Sequence, residues 1–213
     1  MMVELESKYE LISNGVKDLM GLFTTKVEKM KKVLVIHPTD KSTDFLSNIY
    51  KNKEGWDVLR KFDGTKTDLI NKMEGYDLII MMGHGSPSGL FDVSRFYKKG
   101  NNNGYMVIDY EFADVLSRKE CISIWCNSDK FFKKYGIKGF HTGMVISEVG
   151  EASYVLGYTP LNKKETLDNM NFYATLLGEC IENKPNEIRN YMLENYNRED
   201  AVSEYNRSTL IVL

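Results

Sequence analysis

One run of apolar residues, Leu78–Met82, restricts the possible folds more than any other feature of the sequence. Its five residues do not alternate with polar ones, and the run stops at Gly83. A strand with one face in water alternates apolar and polar side chains, whereas a strand that is apolar throughout is buried on both faces. The run therefore favours a parallel sheet that helices cover on each side.

Further short apolar runs are separated by stretches with helical periodicity, which is typical of βαβ units with right-handed connections. We predict that these runs form the other strands of the sheet, at residues 33–36, 56–59, 121–125, 144–146 and, at a sheet edge, 210–213. We predict helices at residues 44–50, after a capping Thr65 or Thr67, around 112–116 and at 167–181.

The middle of the chain differs from this scheme. Residues 90–92 and 106–109 are short and strand-like, and the chain between them is polar at 98–104. This pattern predicts a small inserted β-hairpin. The expected fold class is α/β, with a mostly parallel sheet of roughly six strands, helices on both faces and one small hairpin.

The chain length of 213 residues predicts one domain with an appendage. We expect residues 31–213 to form this domain and residues 1–30 to be an N-terminal segment that packs on it or precedes it. Two interpretations of the segment stay open. Val16, Leu19 and Phe23 suit an amphipathic helix, whereas residues 3–6 alternate like a strand.

Composition and charge narrow the classes of partner and compartment. Lysine and arginine total 28 against 30 aspartates and glutamates, a formal net charge of −2 that gives no support to nucleic acid as a partner. No apolar run approaches the roughly 20 residues that a membrane span needs, and the first residues are acidic where a secretory signal is basic. Three cysteines are not a disulfide framework. We therefore expect a cytoplasmic protein with no membrane partner.

Two chemically useful side chains follow two of the predicted strands. His84 comes after residues 78–82, and Cys126 comes after residues 121–125. Ligands of open α/β sheets bind at the carboxyl ends of strands, and a thiol next to an imidazole is the pair that nucleophilic acyl transfer needs. The N–H groups of Gly85 and Cys126 are candidates for an oxyanion hole, because a glycine lets a substrate carbonyl approach its backbone.

The remaining cysteines and histidines have structural interpretations. Cys121 lies at the start of its strand and Cys180 on the apolar face of a helix, so both are expected to be buried hydrophobes. His37 follows the first strand and can line the same rim, although a loop histidine before proline is the simpler interpretation. His141 precedes the strand predicted at 144–146 and is expected to be structural.

Nucleotide and metal sites find weaker support. Gly83, Gly85 and Gly89 have the spacing GxGxxxG, which differs from the dinucleotide fingerprint GxGxxG and follows the third strand, not the first. Asp109 lies where a ribose-binding acid can follow such a loop, but a hairpin intervenes. No CxxC, HxxxH or HExxH pairing is present, so we expect no metal and no other cofactor.

Several segments resemble the caspase/hemoglobinase fold of cysteine peptidases, which includes caspases, metacaspases, legumain, clostripain-like enzymes and gingipains. They are DLIIMMGHGSPSGLFD, YMVIDYEFADVL, CISIWCNSD and GMVISEVGEASYVLG, and the resemblance covers roughly residues 31–213, including the last strand STLIVL. It implies that His84 is the general base and acid, that Cys126 is the nucleophile, and that Gly85 and Cys126 supply the oxyanion-hole amides. The resemblance implies a catalytic dyad, which requires no carboxylate as a third catalytic residue.

The chain departs from the family near the specificity pocket. Basic-specific members have an aspartate where this chain has Ile124, and caspases have a glutamine where it has Trp125, with arginines that have no match here. The residues that we expect to line the pocket are His37, Asp40, Ile124, Trp125 and Glu148, of which Glu148 would favour a cationic substrate side chain. The short segment 126–143 indicates a single-chain protein.

The leading hypothesis is therefore a cytoplasmic cysteine endopeptidase of caspase-like fold that hydrolyses peptide bonds through a Cys–His dyad. Its expected partner is a peptide or protein substrate, and the sequence gives no oligomeric state. Two alternatives stay open: a catalytically inactive caspase-like module that binds a partner through the same cleft, and a Rossmann- or flavodoxin-like nucleotide binder.

Overall fold

The computed structural model describes residues 31–98 and 105–213. The strands are β1 (Val33–Ile36), β2 (Asp57–Leu59), β3 (Leu78–Met82), β4 (Gly85–Ser86), β5 (Gly89–Phe91), β6 (Met106–Ile108), β7 (Glu120–Ile124), β8 (Gly139–Thr142) and β9 (Leu210–Val212). The main sheet has the order β2-β1-β3-β7-β8-β9. Its first five strands are parallel, and β9 pairs antiparallel with β8 at the edge. The predicted α/β class and the mostly parallel six-stranded sheet are confirmed.

The helices connect these strands and follow them. They are α1 (Lys66–Met73), α2 (Ala113–Ser117), α3 (Ser128–Lys134), α4 (Val149–Leu156), α5 (Lys163–Cys180), α6 (Pro185–Asn195) and α7 (Ala201–Ser208), with 3-10 helices at Asp44–Ile49 and Tyr110–Phe112. Thr65 caps α1 as expected, since its side chain accepts a hydrogen bond from the Asp68 N–H.

Both faces of the main sheet are buried, as the continuous apolar strands predicted. Along β1, Val33 and Val35 belong to one core cluster, while Leu34 and Ile36 belong to the other. The first cluster includes residues of the 3-10 helix Asp44–Ile49, α5 and α6, and the second includes residues of α1, α2 and α3. The sheet is therefore covered by helices on each side.

The predicted hairpin is confirmed and is part of a slightly larger unit. Strands β5 and β6 pair antiparallel, and the two-residue strand β4 adds to the other edge of β5. Most of the predicted polar tip, residues 99–104, and the predicted N-terminal segment, residues 1–30, lie outside the described residues.

The strand predicted at residues 144–146 is wrong, because the sheet uses Gly139–Thr142 instead. The chain leaves the sheet at Gly143, and Asn206 holds the next segment by accepting the Ile146 N–H and donating to the Ile146 carbonyl. His141 therefore lies within β8, not before a strand, and it is fully buried. Strand β8 escaped the sequence analysis because two of its four buried residues, His141 and Thr142, are polar.

Within the described residues, no helix combines the length and hydrophobicity needed to cross a bilayer.

Candidate functional site

The carboxyl ends of β3 and β7 lie side by side because these strands are parallel neighbours. Met82 pairs with Ile124 at the last position of the register. The next residue, Gly83, donates its N–H to the Ile124 carbonyl at 3.1 Å. Gly83 has φ +140°, a conformation that side-chain-bearing residues rarely adopt, so glycine lets the chain turn out of β3 toward His84.

His84 and Cys126 line one small cavity of about 30 Å³ at this edge of the sheet. The walls of the cavity are mainly apolar and include Phe45, Leu46, Ile124, Val145 and Met170. The register of two adjacent strands thus brings together an imidazole and a thiol that are 42 positions apart in the sequence.

The Cys126 thiol is partly buried and holds its proton. Its Sγ donates to the Val145 carbonyl oxygen at 3.7 Å. Burial raises the pKa of Cys126 to about 11, because a thiolate would lose hydration. At neutral pH the group is therefore a thiol, and a nearby base has to remove its proton before or during attack.

A hydrogen-bonded chain of three residues, which we call the serine bridge (Asp40, Ser42 and His84), holds the imidazole. The Ser42 hydroxyl lies 2.6 Å from His84 Nε2 and donates to Asp40 Oδ1 at 2.6 Å. The Ser42 backbone N–H also donates to Asp40 Oδ1, at 2.8 Å. Partial burial alone would raise the pKa of Asp40, but the two hydrogen bonds from Ser42 outweigh it and lower that pKa below its ordinary value.

The serine bridge fixes which nitrogen of His84 carries the proton. An ionised Asp40 can only accept hydrogen bonds, so the single Ser42 hydroxyl proton points to Asp40. The Ser42 oxygen must then accept from His84, which requires an N–H at Nε2. In neutral His84 the lone pair is therefore on Nδ1, and this nitrogen is free to accept a proton, since no hydrogen bond to it is found in the described chain.

Ser42 is a residue of the site that the sequence did not single out. The residue follows β1, whose carboxyl end opens at the same edge as those of β3 and β7. That position is the signal that could have found it, because His37, in the same loop, is a candidate on the same ground. A hydroxyl residue in a loop has no distinctive pattern of its own, and only its contact with His84 singles it out.

Gly85 packs tightly but is not among the residues that line the cavity. A Cβ at this position would lie 2.3 Å from Cδ1 of Trp125, so the residue has to be glycine for the indole to pack there. The neighbouring His84 carbonyl accepts the Phe91 N–H at 2.8 Å. Because bonded pairs alternate along an antiparallel ladder, the Gly85 N–H points away from β5.

The residues expected to line a specificity pocket lie at different depths. Ile124 and Trp125 line the cavity, although the Trp125 ring is buried and donates its Nε1–H to the Ser86 carbonyl. His37 is fully buried and does not line the cavity of Cys126, and its Nδ1 lies 3.0 Å from the Tyr50 hydroxyl. Burial lowers the pKa of His37 to about 3, so this imidazole is neutral.

Glu148 lies in a second, larger groove of about 650 Å³. This groove shares Phe45 and Ser147 with the cavity that Cys126 lines, and two lysines, Lys41 and Lys163, also line it. The structure therefore places Glu148 beside the cavity of the thiol and not within it.

The residues given structural interpretations lie in the core. Cys121 and Cys180 are buried free thiols.

Asp109, the candidate ribose-binding acid, forms an ion pair with Lys66 and accepts the Glu111 N–H at 3.0 Å. These contacts give the Asp109 carboxylate a structural role at the start of the 3-10 helix Tyr110–Phe112.

Comparisons of the chain with models of known protein families, with curated proteins and with solved structures found no match.

Proposed function

We propose that the protein is a cysteine peptidase in which Cys126 attacks the peptide carbonyl and His84 transfers the proton. The observation that carries the proposal is the shared cavity, in which one thiol and one imidazole meet at the carboxyl ends of adjacent parallel strands. The caspase-like resemblance of the same segments agrees with this proposal. A peptide or protein substrate, the absence of a cofactor and a cytoplasmic location belong to this proposal.

The protonated state of Cys126 favours attack assisted by a general base. Nδ1 of His84 accepts the thiol proton while Sγ bonds to the carbonyl carbon, and the N–H groups of Gly85 and Cys126 are the candidates to stabilise the oxyanion. The imidazolium then gives its proton to the leaving amine, which departs and leaves a thioester. Water, deprotonated by His84, attacks the thioester, and the thiol regains its proton from the imidazolium.

The serine bridge supports the same assignment. When His84 becomes positively charged, its Nε2–H still donates to Ser42, and the ionised Asp40 lies one hydrogen bond further along. The bridge therefore keeps the same ring nitrogen, Nδ1, available for the proton throughout the reaction.

Hydrolysis of a mixed peptide library tests the proposal. The wild type should cleave, and Cys126→Ala should not, because the variant lacks the nucleophile. Cys180→Ala is the matched control, since it removes the same kind of thiol from the buried face of α5. Equal rates for the wild type and Cys126→Ala would refute the peptidase, provided that circular dichroism shows both proteins to be folded.

A non-catalytic binding module is the second candidate, and one observation favours it. The Cys126 thiol donates to Val145, and no hydrogen bond joins it to His84 within the described residues. A peptide carrying a thiol-reactive acyloxymethyl ketone separates the two functions. Selective labelling of Cys126 supports the peptidase, whereas failure to label the folded protein favours the module.

A further inference from the structure

The cavity that contains Cys126 also restricts the substrate. When Sγ bonds to a peptide carbonyl, the side chain that precedes the scissile bond is only two bonds away from the attacked carbon. It must therefore occupy space next to Sγ. The space found there has a volume of about 30 Å³. Pockets that bind whole small ligands typically measure about 300–1,000 Å³, so a cavity of this size admits only a short side chain.

The chemistry of the cavity wall restricts the substrate further. Apart from His84 and Cys126, its side chains are apolar, aromatic or hydroxyl-bearing, and none is a carboxylate, an ammonium or a guanidinium. The Ser147 hydroxyl already donates to Glu151 Oε2 at 2.9 Å. A charged substrate side chain would lose its hydration here and find no permanently charged partner on the cavity wall, which is unfavourable.

We propose that this cavity binds the side chain immediately before the scissile bond and selects small, uncharged residues, chiefly alanine and serine. The inference rests on the proposed peptidase function. It replaces the expectation that Glu148 selects a cation at this position, because Glu148 lines the neighbouring groove and not this cavity.

The neighbouring groove has room for the rest of the peptide. It is about 650 Å³ in volume and continues from the cavity through the shared residues Phe45 and Ser147. Lys41, Lys163 and Glu148 give it both signs of charge. Large or charged substrate side chains therefore fit at positions further from the scissile bond.

Fluorogenic peptides that differ only in the residue before the scissile bond test this inference on the 213-residue chain. We expect kcat/KM for alanine and serine to exceed that for aspartate, arginine and phenylalanine by at least about 100-fold. Equal or faster cleavage after any of these three would overturn the small-residue subsite and leave the peptidase standing. Absence of cleavage of every peptide would overturn both.

Enlarging the cavity should change the preference in a defined direction. Met170 lines the cavity from α5, and Met170→Ala should raise the leucine-to-alanine ratio of kcat/KM about 10-fold or more. Met192→Ala is the matched control, because it removes an identical side chain from the same core cluster but not from the cavity. Val145→Ala gives a milder enlargement if Met170→Ala fails to fold. An unchanged ratio in a folded cavity variant would refute the assignment.

Discussion

Replacing Ser42 with alanine breaks the hydrogen-bonded link from His84 to Asp40. It does not alter the thiol or the imidazole chemically. Ser42 accepts the His84 Nε2–H at 2.6 Å, and this hydrogen bond becomes charge-assisted once the imidazolium forms. Hydrogen bonds to charged groups contribute about 1.5–3 kcal/mol. At 1.36 kcal/mol per factor of ten in rate, Ser42→Ala should lower kcat/KM about 10- to 150-fold.

Ser42 is half-buried, so water can replace part of the lost contact, and the lower end of this range is expected. The loss should fall mainly on kcat, because the charge on His84 develops only as the thiol proton is transferred. A smaller change in KM is expected, because Ser42 also lines the groove that takes the rest of the peptide. Asp40→Asn should reduce kcat to a similar extent. The double variant should lose little more than either single one, since both act through the same bridge.

Steady-state hydrolysis of the best peptide measures these effects, with two variants as controls. Ser42→Thr keeps the hydroxyl and should retain most of the activity. Ser47→Ala removes a hydroxyl that donates to the Asp44 carbonyl in the nearby 3-10 helix, so it reports the effect of a lost local hydrogen bond alone. If Ser42→Ala is fully active under conditions in which Cys126→Ala is inactive, the role of the serine bridge is refuted.

Three further predictions follow from burial and packing. Iodoacetamide should alkylate Cys126 about tenfold faster per pH unit from pH 7 to 10, because its pKa is raised to about 11, and a plateau at neutral pH would indicate a preformed thiolate instead. Between pH 6.5 and about 3, the free energy of unfolding should fall by up to about 1.4 kcal/mol per pH unit through His37, because in this range only the unfolded state protonates it. Urea titrations in which His37→Gln has the same slope as the wild type would contradict this. Gly85→Ala should cost about 1–3 kcal/mol by thermal unfolding, because its methyl group would overlap the Trp125 ring, whereas Gly150→Ala has open space and should cost much less.

The sequence predicts those parts of the fold in which the buried side chains are apolar. Strands β1, β3 and β7 are nearly continuous apolar runs, and their predicted positions match the structure within one residue. Strand β8 is equally buried, but it contains His141, whose Nδ1 lies 2.7 Å from the Ser123 hydroxyl. A polar residue of this kind is compatible with burial only when a partner is present, and the partner is 18 residues away.

The candidate site divides in the same way. His84 and Cys126 follow apolar strands, so the carboxyl-end rule selects them without any knowledge of side-chain contacts. Ser42 acts through two hydrogen bonds, one of them to a residue 42 positions further along the chain. No local pattern encodes that contact, and it becomes visible only once the loop after β1 is placed next to the end of β3.

Cys126 and His84 are held in place by different contacts. The effect of a substitution on peptide turnover can therefore be separated from its effect on thiol alkylation. The backbone around Cys126 is fixed by two hydrogen bonds: Thr142 Oγ1 donates to the Trp125 carbonyl at 3.0 Å, and the Asn127 N–H donates to the Gly143 carbonyl at 2.9 Å. The His84 ring is held at Nε2 by a half-buried loop serine. Ser42→Ala should therefore lower peptide turnover while leaving the rate of Cys126 alkylation at pH 10 unchanged, because that rate depends on the thiol's own burial. A parallel loss of both rates would mean that Ser42 supports the whole site and not the orientation of the base.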